Sequence, residues 1–339
     1  WIIPNTSVKI LFMNNYPKES AGKKATLNVP TCHSKDSIKE VRAKIIENSN
    51  NIETFNYVYV LNDEKKLKGV FSIKKLFSKK DNLFAEEIMN KNIVFVHPYT
   101  DQEKVAVLAI KNNIKAVPVV KKDGTFLGVV SSDKILDILH QEHTEDILLS
   151  AGIYKKDHFS EKMIDTPAKT LAKIRLPWLI IGLFGGIAAA QIITYFESTL
   201  SEKIILASFI PLILYISNAV AIQTQTLYIR NLAINSFAQK DYLLKELKIS
   251  MIIGAILSLI LFLISIIAYK DFITATIISV SILLTIATAI LMAMAITWGL
   301  FKMKLDPALG SGPFGTIIAD ITSLLIYFFV ASTFLSYYI

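Results

Sequence analysis

Five long apolar stretches fill the second half of the chain, at about 176–196, 204–229, 249–269, 272–300 and 313–338. A hydrocarbon core about 30 Å thick needs roughly 20 helical residues, so each stretch is long enough to cross a bilayer as a helix. Before residue 176 the pattern changes to short amphipathic helices alternating with short β-branched and aromatic runs. Residues 24 to 142 read as two similar units in tandem. In the first, a helix over 37–48 leads to the strand Tyr57-Val58-Tyr59-Val60, the turn Asn62-Asp63-Glu64 and the strand Gly69-Val70-Phe71-Ser72. In the second, a helix over 101–112 leads to Ala116-Val117-Pro118-Val119-Val120, then Lys122-Asp123-Gly124 and Gly128-Val129-Val130-Ser131. The spacing of about sixty residues marks an internal repeat. The predicted fold class is an α-helical integral membrane protein with five transmembrane helices, carrying an α+β soluble pair at its N-terminal side.

Charge sharpens that division. Residues 1–175 hold 28 Lys and Arg and 21 Asp and Glu, whereas residues 176–339 hold 8 and 7, nearly all between the apolar runs. The net charge of +8 therefore comes almost entirely from the soluble half. Its lysines are scattered, without a zinc-finger or RNA-binding pattern, which fits a surface near anionic lipid headgroups rather than a nucleic-acid partner. Lysine and arginine crowd the approaches to the first, third and fifth spans, and the positive-inside rule then predicts a multi-pass protein of the cell (inner) membrane with a cytoplasmic N-terminus and Ile339 outside. A single cysteine, Cys32, excludes an intrachain disulfide. Trp1 at the start, without Met or a basic-then-apolar leader, reads as a trimmed N-terminus.

Polar residues inside the spans carry the candidate chemistry. Asp320 lies about seven residues into the fifth stretch, and an Asp at the centre of a transmembrane helix costs about 2.5–3.5 kcal/mol on insertion scales, so it is expected to face a partner, a cavity or an ion path. Thr316 sits four residues earlier, on the same helical face. The second span holds Pro211 and a polar cluster that includes Ser217, Asn218, Gln223 and Gln225. Pro211 removes a backbone donor and is expected to free carbonyls at membrane depth, where they line a cavity or are buried in protein. Gly182, Gly185 and Gly186 of the first span are expected to allow close helix approach. For the amides, ion contact and interhelical hydrogen bonding both remain open.

No His or Cys lies within any span, which excludes a soft-metal first shell there and a zinc protease with His-Glu-x-x-His in the membrane. No P-loop is present to power a pump. The hard-oxygen inventory suits Mg²⁺, which keeps several waters around one or two carboxylates. One Asp per chain, doubled in a two-fold homodimer, would supply them.

The tandem units resemble a pair of cystathionine-beta-synthase (CBS) domains, whose shared cleft often binds an adenosine nucleotide. Gly128-Val129-Val130-Ser131-Ser132-Asp133 is similar to the family's ribose motif, which implies nucleotide contacts from Ser131 and Asp133. The first-unit counterpart, Gly69-Val70-Phe71-Ser72-Ile73-Lys74, has Lys at the Asp position, leaving at most one intact site. An alternative role for Asp133 is as the N-cap of a helix over 134–140.

Across the chain the order of CBS pair, charged helix and five spans resembles the MgtE-type magnesium transporters. The similarity is carried by 16–22 ahead of the first CBS unit, Gln141-Glu142-His143-Thr144-Glu145-Asp146-Ile147, Arg175-Leu176-Pro177-Trp178, Gln223 with Arg230, Asp306-Pro307-Ala308, Ser311-Gly312-Pro313, and Asp320 through Phe328. It implies an N-terminal remnant over 1–23, CBS units over 24–80 and 81–142, a connecting or plug helix over 143–175, and a transmembrane domain over 176–339. It also implies a homodimer with hydrated Mg²⁺ at Asp320, assisted by Thr316, Asn218 and Gln223. Glu142, Glu145 and Asp146 become candidate ligands for regulatory Mg²⁺, and ATP or another adenosine nucleotide a candidate ligand of the CBS pair. Aligned on Pro211 and Gln223, the second span has Asn218, Ala219 and Ala221 where the family motif has Gly, Asn and Gly. The expected function is passive, channel-like Mg²⁺ uptake gated by the CBS pair. Selectivity for Co²⁺ or Mn²⁺ on the same fold, or a non-transporting nucleotide sensor in the membrane, are the alternatives.

Overall fold

A computed structural model describes residues 15–153, 166–234 and 238–338, and the chain divides into two compact units between Thr144 and Glu145.

In the first unit both predicted repeats form. The helix α1 (Ile38–Glu47) begins with a capping box: Ser37 accepts from the Glu40 backbone and Glu40 reaches back to the Ser37 backbone, so two otherwise orphaned donors are satisfied. Strands β1 (Thr31–His33), β2 (Tyr57–Leu61) and β3 (Leu67–Ser72) make one sheet in that order, β1 parallel and β3 antiparallel to β2. After the short helix α2 (Lys74–Ser78), the second repeat follows with α3 (Gln102–Lys111), capped by Asp101, and the antiparallel pair β4 (Val117–Val120) and β5 (Phe126–Val130). Val96 bridges β4 in parallel at Val119, as β1 pairs with β2 in the first repeat.

The strands alternate too little to be half-solvated. All four residues of β4 are buried, as expected for strands covered on both faces. Gly128 has φ +132°, and a Cβ there would run into the Thr26 carbonyl oxygen, so the close passage of the 26 segment over β5 requires glycine. Cys32 is buried in the first repeat's core, and burial pushes its thiol up to about 12.

Helix α4 (Ser132–Ser150) is longer than the helix expected at 134–140 and runs past the 142/143 boundary. Residues 154–165 of the expected connecting segment, and 1–14 of the N-terminal remnant, lie outside the described residues.

In the second unit the five predicted spans are all helical: α5 (Ala168–Tyr195), α6 (Ile210–Ile234), α7 (Gln239–Tyr269), α8 (Phe272–Lys302) and α9 (Pro313–Tyr338). Helix α8 packs against α6, α7 and α9 and is 61% buried over its most apolar window; α5 packs on α9 and is 0% buried over its own. The apolar seam therefore lies around α8, with α5 at the edge. Three hydroxyls inside α8 are satisfied locally: Ser279 donates to the Ala275 carbonyl, Thr285 to Ser281 and Thr297 to Ala293, whereas the buried Ser281 hydroxyl has no partner among the described residues. Ser258 of α7 donates to the Ser279 carbonyl at 2.8 Å and ties the two helices together.

Two expectations are corrected here. Pro211 is the second residue of α6, after a 3₁₀ segment over Ile204–Phe209. Its missing N–H falls among those that a helix start leaves unpaired in any case, so no mid-span carbonyl is freed. Of the three glycines in α5 only Gly185 serves close approach, with the Ile317 side chain 2.5 Å from where its Cβ would be; Gly182 and Gly186 face open space.

The connections between the first and second spans and between the third and fourth meet through Lys203, which donates to Asp271. Asp271 also caps α8, accepting from Ile273 N at 3.1 Å and from the Thr274 hydroxyl at 2.6 Å.

Candidate functional site

Asp320 is held where three helices of the second unit converge. It lies on α9 beside a cavity of about 410 Å³, together with Thr316 one turn earlier, Ile222 of α6, Gly182 and Gly186 of α5, and Ser150 at the end of α4. The missing side chains at Gly182 and Gly186 leave the space open, and Gly312 at the start of α9 lets the last turn of α4 come close: a Cβ there would stand 3.2 Å from the Leu149 carbonyl oxygen.

Asn218 Nδ2 donates to Asp320 Oδ1 at 2.7 Å. The orientation of the amide follows from charge, because its carbonyl turned toward a carboxylate would be repelled. One step back along α6 and three forward along α9, Ser323 Oγ donates to Ser217 Oγ at 2.6 Å, with both residues 1% exposed. Further along, the Tyr327 hydroxyl donates to the Leu206 carbonyl at 2.7 Å. The first two hydrogen bonds fix the antiparallel register of α6 and α9 and set Asn218 level with Asp320, and the third ties the 3₁₀ segment before α6 to α9.

Of the residues singled out by sequence, Thr316 and Asp320 line the cavity and Asn218 touches it through Asp320. Gln223 is exposed and does not line it, while its neighbour Ile222 does. The Ser217–Ser323 rung was not anticipated. Its signal was present in the alternating polar positions of the second span, but its partner lies 106 residues away.

The first unit has a second cavity, of about 390 Å³, on the side of the first repeat's motif. Tyr57, Tyr59, Ser72, Lys75, Asn90 and Asn112 are among its lining. Tyr59 is 1% exposed, stacks on Phe126 at 5.2 Å, and leaves its hydroxyl buried without a hydrogen-bond partner. Lys75 Nζ donates to the Ile88 carbonyl at 2.6 Å. Ser131 and Asp133 do not line this cavity. Ser131 is buried and its hydroxyl accepts from Lys134 N at 3.4 Å; Asp133 is exposed in the first turn of α4, inside the helix rather than at its cap.

Among the acidic residues of α4, Glu142 accepts from Gln102 Nε2 at 2.5 Å, while Glu145 and Asp146 are exposed. Among the described residues no group of three His, Cys, Asp or Glu side chains is placed to hold a metal ion.

Comparison with known proteins agrees with this division. A family model described as a divalent cation transporter, MgtE, matches residues 210–330, and the CBS domain model matches 25–81 and 85–141. The magnesium transporter MgtE of Bacillus subtilis is 32% identical over 334 residues, covering 97% of this chain and 72% of that protein. The magnesium transporter MgtE of Thermus thermophilus is 31% identical over 334 residues, covering 97% and 73%. Among solved structures, the cytosolic domain of the Mg²⁺ channel MgtE in complex with ATP is 30% identical with a TM-score of 0.39, covering 39% of this chain and 54% of that one.

Proposed function

The chain belongs to the MgtE family of divalent cation transporters and transports Mg²⁺, and on that footing we propose that the ion passes Asp320 as a hydrated cation, passively and under control of the CBS pair. The observation that carries this reading is a carboxylate in the wall of a 410 Å³ cavity inside a membrane-spanning unit. An inside-negative potential supplies about 4.6 kcal/mol per 100 mV to a divalent ion, twice the single-charge value, so no energy-coupling site is needed. Thr316 adds a hydroxyl on the same wall, suited to the waters of a Mg²⁺ that dehydrates reluctantly.

The working form is a homodimer in which a second copy doubles Asp320 and covers apolar surface. That no residue in α5's apolar window is fully buried within one chain supports that reading. The distribution of Lys and Arg supports a cytoplasmic N-terminus in the cell membrane, with Ile339 outside. In the CBS pair, the cavity around Tyr57 and Tyr59 is the place for an adenosine nucleotide: it has an aromatic wall for a base and amides at Asn90 and Asn112 for its edge. Control by Mg²⁺ would act through Glu142, Glu145 and Asp146 of α4.

The test is Mg²⁺ flux into proteoliposomes for the wild type and Asp320→Ala, with Co²⁺ and Mn²⁺ as competitors. Flux abolished by the substitution supports the pore assignment. Undiminished flux in Asp320→Ala would sink it.

A further inference from the structure

Asn218 spends its amide on Asp320 in an unusual way. Its Nδ2 donates to one carboxylate oxygen, while its own Oδ1 is buried without any hydrogen-bond partner. Buried polar atoms are rarely left so, and an orphan beside a functional carboxylate calls for an explanation. Asn218 does not line the cavity that Asp320 faces, so it acts behind the carboxylate and not beside the ion. Asp320 Oδ2 receives no hydrogen bond from the described residues, which leaves the two oxygens of the carboxylate unequal, one engaged by Asn218 and one not. The Ser217–Ser323 rung holds the two helices in register and prevents Asn218 from sliding off Asp320.

Resting on the assignment of Asp320 to the ion path, we propose that Asn218 is a specificity-determining positioning residue: by hydrogen bonding Oδ1 it weakens that oxygen as a ligand and biases Asp320 toward one-oxygen contact with the cation. Ions differ in what they ask of a carboxylate. Mg²⁺ keeps most of its waters and is served by one oxygen, often through a water, whereas Ca²⁺ accepts six to eight oxygens and readily takes a carboxylate in bidentate fashion. A carboxylate oxygen that already accepts a hydrogen bond has one lone pair occupied and is a weaker ligand, so a grip through both oxygens is disfavoured while that hydrogen bond persists. The arrangement therefore discriminates against ions that shed water and grip both oxygens, a difference of affinities produced by a penalty on the competitor.

The experiment measures Mg²⁺ entry into proteoliposomes with Ca²⁺ as inhibitor, for the wild type, Asn218→Ala, the near-isosteric Asn218→Leu, Asp320→Ala and Ser323→Ala. In both Asn218 variants the ratio of half-inhibiting Ca²⁺ to half-saturating Mg²⁺ falls about tenfold, the scale of one hydrogen bond to a charged group. In Ser323→Ala, which removes the rung that keeps Asn218 against Asp320, the ratio falls in the same direction but by less. A residue that only supported the fold would lower entry of all ions alike and leave the ratio unchanged. An unchanged ratio in both Asn218 variants, with Asp320→Ala inactive, overturns the proposal and leaves the pore assignment standing. Entry that survives in Asp320→Ala overturns both. Should the Asn218 variants not conduct, the same ratio is read from stabilisation of the purified proteins against heat by Mg²⁺ and by Ca²⁺, with the same criterion.

Discussion

Ser217 and Ser323, 106 residues apart in the chain, share a 2.6 Å hydrogen bond inside the membrane unit and are buried to the same degree. Their neighbours, Asn218 and Asp320, are held at the same level of the α6–α9 seam. Replacing one serine by alanine leaves the other hydroxyl buried and unpaired, at a cost of about 1–3 kcal/mol, whereas replacing both is expected to be nearly neutral. Unfolding of the purified protein for the two single variants and the double variant checks this. Additive losses would show that the two hydroxyls do not depend on each other.

Asp271 makes stability depend on acid pH. Burial pushes its carboxyl up, but the hydrogen bonds from Lys203 and Thr274 outweigh that and hold it at about 2, against an ordinary 3.8. A carboxyl depressed by folding contributes stability that is fully present above 3.8 and is lost as pH falls toward 2. The wild type is therefore expected to lose thermal stability more steeply than Asp271→Asn between those two values. Parallel melting curves against pH would contradict the assignment.

Gly128 is predicted to tolerate no side chain. Its φ of +132° and the Thr26 carbonyl in the path of any Cβ both act against alanine, and backbone strain of this kind costs about 1–3 kcal/mol by itself. Gly128→Ala is expected to lower the melting temperature of the CBS pair, whereas Gly182→Ala, which meets open space, leaves overall stability near that of wild type. Hydrogen exchange over β4 and β5 reads the local effect.

Tyr59→Phe separates a structural hydroxyl from a ligand-binding one. In the free protein the hydroxyl is buried and unpartnered, so its removal is expected to be neutral or slightly stabilising. If a nucleotide takes the cavity, the same change weakens binding by roughly tenfold, the value of a hydrogen bond of about 1.4 kcal/mol. Calorimetry with ATP on both proteins decides it. Equal affinity removes Tyr59 from the site, and no binding to either protein removes the nucleotide from this cavity.

What was legible in the sequence follows from the range of the signals. Five spans, two repeats and the helices beginning near Ser37 and Asp101 all arise from residues close together in the chain, where hydropathy and periodicity act locally. Asp320 stood out for the same reason, since a carboxylate among apolar neighbours is conspicuous without knowing what it faces. Pro211 misled because the transition from 3₁₀ to α-helix just before it is not written in the apolar pattern, and a proline at a helix start has the opposite meaning from one inside. The glycines of α5 misled because close approach and open space call for the same residue.

The sequence by itself determined the class of protein: a soluble repeat joined to a membrane unit with one carboxylate in its last span and no soft ligands. Only the tertiary structure decided which atoms meet. It bound Asn218 to Asp320 while leaving Gln223 exposed, and it lined a cavity of the first unit with Ser72 and Tyr59. The reason is physical. Helix and strand formation depend on neighbours within a few residues, whereas a hydrogen bond across 102 positions depends on the register of two packed helices, which the buried seam around α8 and the Ser217–Ser323 rung jointly set.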